Sequence, residues 1–575
     1  MDNIEVAKIL NQIANILEIT DANHFRIIAN RRAAQSIEGL TNDIKTIYQQ
    51  GKLRDIPGVG EQIANHITEL IETGKSKEFE NLKKRIPLGV LELLEVEGLG
   101  PKKVKLFYQK FGIKTIPQLK RLIQSHQLVN LKGWGEKSEQ NILRGIKLYK
   151  RFKKRFTLGE VYFLSQNIVQ QLKQSKLTDR VEVCGSVRRS RETVGDLDIL
   201  AISKNPKKTI DFFVSLEMIQ KIIVKGSTKA RVVLKHGPET DLRVVKPESF
   251  GAAMHYFTGS KAHNIHIRKM GIEKGLKINE YGVFKKTKKK LIRIGGQTEL
   301  EMYRSINLPY IPPEIREDEG EIEAAKERKL PKLINLKNIR GDLQMHTRWS
   351  DGKNTILEMA QAAKEKGYEY IAITDHASPM VVTNGLNAKR INNYIKAIKR
   401  ADEKIKGIKI LAGVEVDILA NGKLYLSDNI LKKLDLVLGS IHSGFRTPKD
   451  TMTQRVIRAM ENPYLHILAH PTGRLINKRE PIELNMEEIM KVAKKTGTIL
   501  EINASWVRLD LKDIHARMAK ERGIKMVIST DAHHMKGLDL MQFGIMTARR
   551  GWLEKKDVIN TQPLKKFLKY LKTNK

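Results

Sequence analysis

From residue 339 onward, an apolar run of strand length recurs six times, and a stretch of helical periodicity follows each: YIAITDH, GIKILAGVEV, LDLVLGSIH, LHILAHP, GTILEINAS and IKMVISTDAH. No other feature of the chain restricts its fold as much. Strands apolar on both faces need cover on both sides, and a helix after each strand sets the next strand parallel to it. The pattern therefore predicts βαβ units closed into a barrel. His346, His376, His442, His470 and His533 each end or follow such a run, and Asp351, Glu415 and Asp531 are placed likewise. The C-terminal ends of barrel strands meet at one mouth. A lone histidine at a strand end is usually structural, but five of them converging with three carboxylates make a donor set suited to Mn²⁺, Zn²⁺ or Fe²⁺.

Residues 183 to 200 read VCGSVRRSRETVGDLDIL. On a strand, residues i and i+2 share a face, so Asp196 and Asp198 present two carboxylates in parallel while Leu197 and Ile199 enter the core. Two buried like charges repel, and the pair makes sense where divalent cations lie between them. A third carboxylate, Asp241 in ETDLRVV, stands on another predicted strand. Hard oxygen donors suit Mg²⁺, or Mn²⁺ in its place, and two such ions are the device of in-line phosphoryl transfer. Gly185 and Ser186 offer an amide and a hydroxyl to a triphosphate, with Arg189 as a charged donor. An Asp-x-Asp alone can simply cap a turn, a reading that weakens once the Gly-Ser pair, the arginine and the distant Asp241 are counted.

The N-terminal part alternates helical periodicity with three glycine turns: IPGVGEQIANHI, VEGLGPKKVKLF and LKGWGEKSEQNIL. Each places a Gly-x-Gly (Gly58 and Gly60, Gly98 and Gly100, Gly133 and Gly135) before a helix whose free amides can meet a phosphate, with no Cβ in the way. One such turn is an ordinary helix cap. The threefold repeat resembles helix-hairpin-helix motifs, which grip a nucleic-acid backbone without reading its sequence. The charge agrees: 104 Lys and Arg against 65 Asp and Glu leave the 575-residue chain at +39, beyond what solubility needs and suited to a polyanion. The plainer reading is a lysine-rich soluble surface, since lysine is spread along the whole chain. A single cysteine, Cys184, excludes a disulfide framework and fits a reducing compartment. No apolar run approaches the about 18 residues a membrane span needs. The expectation is a cytoplasmic monomer with no membrane partner.

GSVRRSRETVGDLDIL with TDLRVV resembles the nucleotidyltransferase palm of the family X DNA polymerases, typified by DNA polymerase β, and YFTGSKAHN (256 to 264) resembles that family's sugar-and-base recognition segment. The resemblance implies that Asp196 and Asp198 bind both metals, and that Asp241 binds the catalytic ion and helps take up the primer-hydroxyl proton. It implies too that Ser186 and Arg189 hold the triphosphate, that Tyr256, Phe257 and Gly259 line the sugar pocket, and that Asn264 and Arg268 contact the nascent pair and template. By their residue types alone, Tyr256 and Phe257 also fit a core aromatic pair. Where resembling polymerases that cleave 5′-deoxyribose phosphates carry a Schiff-base lysine, this chain has His66, and imidazole cannot form that base. Lyase activity is expected to be weak or absent unless another lysine substitutes. The C-terminal pattern resembles the polymerase and histidinol phosphatase (PHP) domain, a distorted barrel of seven strands holding up to three metals for phosphoester hydrolysis. At one ligand position the usual histidine is Gln344.

The resulting architecture is multidomain: a helical helix-hairpin-helix region at 1–78 and a second at 79–150, an α/β nucleotidyltransferase palm at 151–247, a small α+β nucleotide-selection subdomain at 248–316, an acidic proline-containing linker at 317–338, and a distorted (β/α)7 PHP barrel at 339–575. The leading reading is a repair polymerase acting on gapped or nicked double-stranded DNA with dNTPs. The PHP domain would add a 3′-5′ exonuclease, with abasic-site endonuclease or 3′-phosphatase action as further options. Two alternatives stand beside it: a polymerase whose barrel is an inactive scaffold, and a non-catalytic DNA-end binder. The intact aspartates argue against the latter, because an abandoned site has no reason to keep buried charge.

Overall fold

The computed structural model describes residues 3–20, 22–38, 44–96, 99–128, 135, 138–143, 145–146, 155–287, 290–379 and 384–574. The chain forms two compact units, Met1–Arg155 and Phe156–Lys575. In the first, amphipathic helices bury Ile13, Ile16, Ile63, Ile67, Val104 and Phe107 in one core. Their ends are set locally. Thr115 and Gln118 form a reciprocal capping box before Ile116–Gln124, a device worth about 1 kcal/mol, and Gly74 ends Glu61–Thr73 in the left-handed conformation that glycine adopts without cost.

The second unit begins with the helix Leu158–Gln174, opened by a Thr157–Glu160 capping box. It lies over a five-stranded sheet in the order Arg180–Val183, Asp196–Ile202, Glu239–Val245, Lys229–Leu234, Ile219–Lys225. The two aspartate-bearing strands, Asp196–Ile202 and Glu239–Val245, are parallel neighbours, and the other pairings are antiparallel. The helices Phe250–Thr258 and Lys261–Glu273 follow, with a three-stranded antiparallel sheet built from Leu276–Asn279, Gly282–Lys286 and Leu291–Gly295.

Parallel strands then run in the order Gly341–Asp342, Tyr370–Ile373, Lys409–Asp417, Leu436–Ser440, Ile467–Leu468, Ile499–Asn503, Met526–Ser529, with His376–Ala377 also pairing onto the third. Met345 bridges Ala532 in parallel, His346 N–H donates to the Ala532 carbonyl at 2.9 Å, and Asp531 N–H to that of Gln344 at 3.0 Å. The last strand thus returns to the first and the barrel is nearly closed, as the six apolar runs predict; the seventh strand is the short one before Gln344. Among the described residues no helix is long and apolar enough to cross a membrane.

One expectation is corrected. Residues 317–338 are not a linker: Glu321, Ile322 and Ala325 are buried, and Ile334 belongs to the barrel core. Three of its acids are paired, Glu317 with Arg189, Asp318 with His266 and Glu321 with His263. The sheet and barrel regions also share a core, in which Ile476, Leu509 and Phe543 pack with Leu158, Val161 and Leu197.

Candidate active sites

At the first hairpin, Gly58 has φ +86°, and a Cβ there would meet the Arg32 side chain at 2.8 Å and the Ala33 amide at 3.0 Å. Gly60 and Gly100 immediately precede the helices Glu61–Thr73 and Pro101–Phe111. Among the described residues, a Cβ at Gly60, Gly100 or Gly135 would meet nothing within 4 Å, an arrangement that suits a phosphate beside these turns. Gly98 and Gly133 lie outside the described residues. His66 Nε2 contacts the Glu78 carboxylate, which also accepts from Arg26 at 2.5 Å.

On the five-stranded sheet, Asp198 stands beside Asp241 in register, and Asp196 shares the Asp198 face. Asp196 is exposed and Asp198 half-buried, while Leu197 and Ile199 are buried. Burial, followed by the Asp196 and Asp241 charges, pushes Asp198 up to about 7. Such a crowding of carboxylates fits hard divalent cations. Both oxygens of Asp241 accept from Arg231 on the antiparallel neighbour, Nε at 2.8 Å and Nη2 at 2.7 Å. Each oxygen keeps a second lone pair. Gly185, at φ +62°, packs on Asp198: a Cβ there would lie 2.5 Å from Oδ2. Ser186 Oγ is buried and has no protein partner among the described residues.

Arg189 donates through Nε to Glu317 at 3.1 Å and through Nη1 to the Thr258 carbonyl. Gly259 comes within reach of the same guanidinium, since a Cβ there would lie 3.0 Å from Nη1. Tyr256 is partly exposed and meets Phe257 edge to face at 5.1 Å, and Arg243 covers the Phe257 ring at 4.6 Å. Asn264 Nδ2 donates to the Tyr256 carbonyl at 2.7 Å, and Arg268 Nε to the Asn264 carbonyl at 3.3 Å.

The barrel mouth gathers its expected donors around Glu415. That carboxylate lies 3.5 Å from His346 Nε2, 3.1 Å from His376 Nδ1, 3.5 Å from His442 Nε2 and 2.9 Å from His470 Nε2. Donor atoms fall within 4.8 Å of one another in three groups: His346, Asp351, His376 and His533; His376, Glu415 and His442; His346, Glu415 and Asp531. His470 joins through Glu415. Gln344 is buried with its side-chain amide against the Glu501 carboxyl group, 3.0 Å from one of its oxygens. Burial alone would raise Glu415, but the His376 and His442 charges hold it well below the usual carboxylate range. Burial would lower His376, yet Glu415 lifts it to about 9. Mixed imidazole and carboxylate donors brought within 4.8 Å of one another fit Mn²⁺, Zn²⁺ or Fe²⁺.

Three contributors escaped the sequence reading. Asp417 accepts from His442 Nδ1 at 2.8 Å and so presents Nε2 to the cluster; as the i+2 neighbour of Glu415 on one strand, it was legible in principle. Arg508 Nε lies 3.6 Å from Asp531 Oδ2. Neither Arg508 nor Arg231 carries a local signal, because both act across the fold.

Residues 1–76 match the helix-hairpin-helix domain family and residues 90–147 the SAM-like helix-hairpin-helix tandem. Residues 253–317 match the DNA polymerase beta thumb and residues 342–505 the PHP domain. The chain is 38% identical to the DNA polymerase/3'-5' exonuclease PolX of Bacillus subtilis (strain 168), over 100% of both chains. Over 39% of its length it is 34% identical to a protein of Thermoanaerobacter sp. (strain X514) named a probable phosphatase, 89% of which is covered. A probable phosphatase of Caldanaerobacter subterraneus subsp. tengcongensis is 35% identical over 31% of this chain and 70% of its own.

Proposed function

The chain belongs to the family X DNA polymerases that carry a C-terminal PHP domain, and on that premise we propose that it fills short gaps in DNA during repair while its barrel trims 3′ ends. It is a DNA-directed DNA polymerase with a 3′-5′ exonuclease, and in this reading it works as a monomer in the cytoplasm on gapped or nicked duplex and dNTPs. The observation that carries the reading is the set of three carboxylates on two adjacent parallel strands, Asp196, Asp198 and Asp241. These would hold Mg²⁺ or Mn²⁺, which supply activation of the attacking 3′-hydroxyl and neutralise charge on the leaving pyrophosphate. Ser186 and Arg189 orient the triphosphate. Tyr256, Phe257 and the Cβ-free backbone at Gly259 shape the sugar pocket, and Asn264 and Arg268 face the nascent pair. Asp241 takes up the hydroxyl proton. The hairpin amides following Gly58, Gly60, Gly98, Gly100, Gly133 and Gly135 hold the duplex backbone.

In the barrel, Gln344, His346, Asp351, His376, Glu415, His442, His470, Asp531 and His533 would hold Mn²⁺, Zn²⁺ or Fe²⁺, which supply Lewis acidity toward a 3′-terminal phosphodiester. Asp417 fixes the ring of His442, and Arg508 brings positive charge to the mouth. Primer extension on a gapped duplex, with and without dNTPs, tests both halves. The wild-type protein extends with dNTPs and, without them, shortens the 3′ end in Mn²⁺. Asp198→Ala loses extension and keeps shortening, and Asp531→Ala does the reverse. Extension by Asp198→Ala at the wild-type rate would overturn the palm assignment; no hydrolysis of 3′ ends or abasic sites with Mn²⁺, Zn²⁺, Co²⁺ or Fe²⁺ would leave the barrel a scaffold.

A further inference from the structure

Arg550 ends the helix Met541–Arg550 on the barrel, yet its guanidinium reaches Arg189, Glu314 and Glu317. Its side chain is 6% exposed. Nε donates to Asp513 Oδ2 at 2.7 Å, which anchors it to the barrel. Nη1 donates to the main-chain carbonyl of Arg189 at 2.9 Å, to that of Glu314 at 3.2 Å and to Glu317 Oε1 at 2.9 Å. The same Glu317 oxygen accepts from Arg189 Nε at 3.1 Å. One carboxylate oxygen is therefore shared between a barrel arginine and the arginine read above as the triphosphate donor. Neighbouring barrel residues hold the rest of the segment, Arg549 Nε on Glu314 at 2.7 Å and Arg517 Nη1 on the Glu319 carbonyl at 3.0 Å.

A long arginine that must be ordered on binding spends its rotamer freedom against affinity, and one already held in place does not. We propose that Arg550 is a positioning residue for nucleotide addition: acting through Glu317 and the Arg189 main chain, it sets the Arg189 guanidinium for the incoming triphosphate, so the phosphoesterase half completes the polymerase's nucleotide pocket. The proposal rests on the reading of Arg189 as a triphosphate donor. It assigns to the barrel a part in polymerisation that is independent of its own hydrolytic site, which contains neither Arg550 nor Glu317.

The test uses the full-length protein. Arg550→Lys keeps the charge but loses the fork that reaches carbonyl and carboxylate together, and Glu317→Gln keeps the shape while removing the shared charge. Single-nucleotide insertion on a gapped duplex gives KM for dNTP and kcat, and Mn²⁺-dependent hydrolysis of a 3′ end reports the barrel. Both variants should raise KM about tenfold, the factor for one charge-assisted hydrogen bond, with kcat and hydrolysis unchanged. Neither should raise it further when combined with Arg189→Ala. Unchanged KM in both variants, while Arg189→Ala raises it, would overturn the positioning role and leave the nucleotide reading intact. If Arg189→Ala itself leaves KM unchanged, the nucleotide reading falls and the inference with it. A joint fall of kcat and hydrolysis would reduce Arg550 to a structural prop, which also overturns the proposal.

Discussion

A Cβ at position 185 would stand 2.5 Å from Asp198 Oδ2, and the residue already lies at φ +62°. Gly185→Ala therefore meets two penalties: about 1–2 kcal/mol for the left-handed backbone and a forced shift of a carboxylate proposed to bind metal. Misplacement on the ångström scale costs about 10²-fold in rate. Single-nucleotide insertion by this variant should show such a fall in kcat, with 3′-end hydrolysis unaffected; a variant with normal kcat would mean that Asp198 need not sit where it does. His66 makes a different point. It is bound to Glu78 on the neighbouring helix, and imidazole forms no Schiff base, so borohydride trapping of a 5′-deoxyribose phosphate should be poor in the wild-type protein and higher in His66→Lys. Efficient trapping by the unaltered protein would show that another lysine does the work.

Glu299, the first residue of the helix Glu299–Ser305, ties separate elements together. It accepts from Arg188, in the short helix Gly185–Arg188, at 2.9 Å and 2.5 Å, and from the buried Arg316 at 2.5 Å. Burial would raise its pKa, but Arg316 and Arg188 outweigh burial and pull it from 4.5 to about 2. A folded-state pKa below the unfolded one means that the unfolded chain binds more protons between the two values. The clamp's contribution, about 3 kcal/mol, is therefore complete above the ordinary glutamate range and lost as pH falls toward 2. Urea unfolding of the wild-type protein should lose stability steeply between about pH 5 and pH 3, and Glu299→Gln should flatten that slope. An equal slope in the variant would assign the acid sensitivity elsewhere.

At the scale of the molecule, the core boundary does not follow the motif boundary. Phe543, Ile476 and Leu509 come from the barrel sequence but pack with Leu158, Val161 and Leu197 of the five-stranded sheet region, and Trp506 packs against Gly159, where a Cβ would come within 1.3 Å of the indole. Separating the barrel would expose these side chains at about 1.5–3 kcal/mol each, a large share of the about 5–15 kcal/mol that holds a domain together. A chain of residues 156–575 should unfold in urea as one cooperative unit and retain hydrolysis, whereas residues 339–575 alone should unfold at lower urea or aggregate. Equal midpoints for the two fragments would show that the shared core contributes nothing.

Sequence alone determined whatever depends on neighbours along the chain. The six apolar runs implied the barrel, the i, i+2 spacing put Asp196 and Asp198 on one face, and histidines at strand ends implied a shared mouth, because side-chain period and strand direction are local properties. Tertiary structure decided the partners. No local pattern sets Arg231 opposite Asp241, Glu501 against Gln344, or Arg550 on the carbonyl of Arg189, 361 residues away. The stretch 317–338 shows the physical reason. Composition records that it is acidic, but a hydrated carboxylate and a buried, paired one have the same letter. Only the packing of Arg189, His263 and His266 around Glu317, Glu321 and Asp318 distinguishes a spacer from the segment that joins the two active halves.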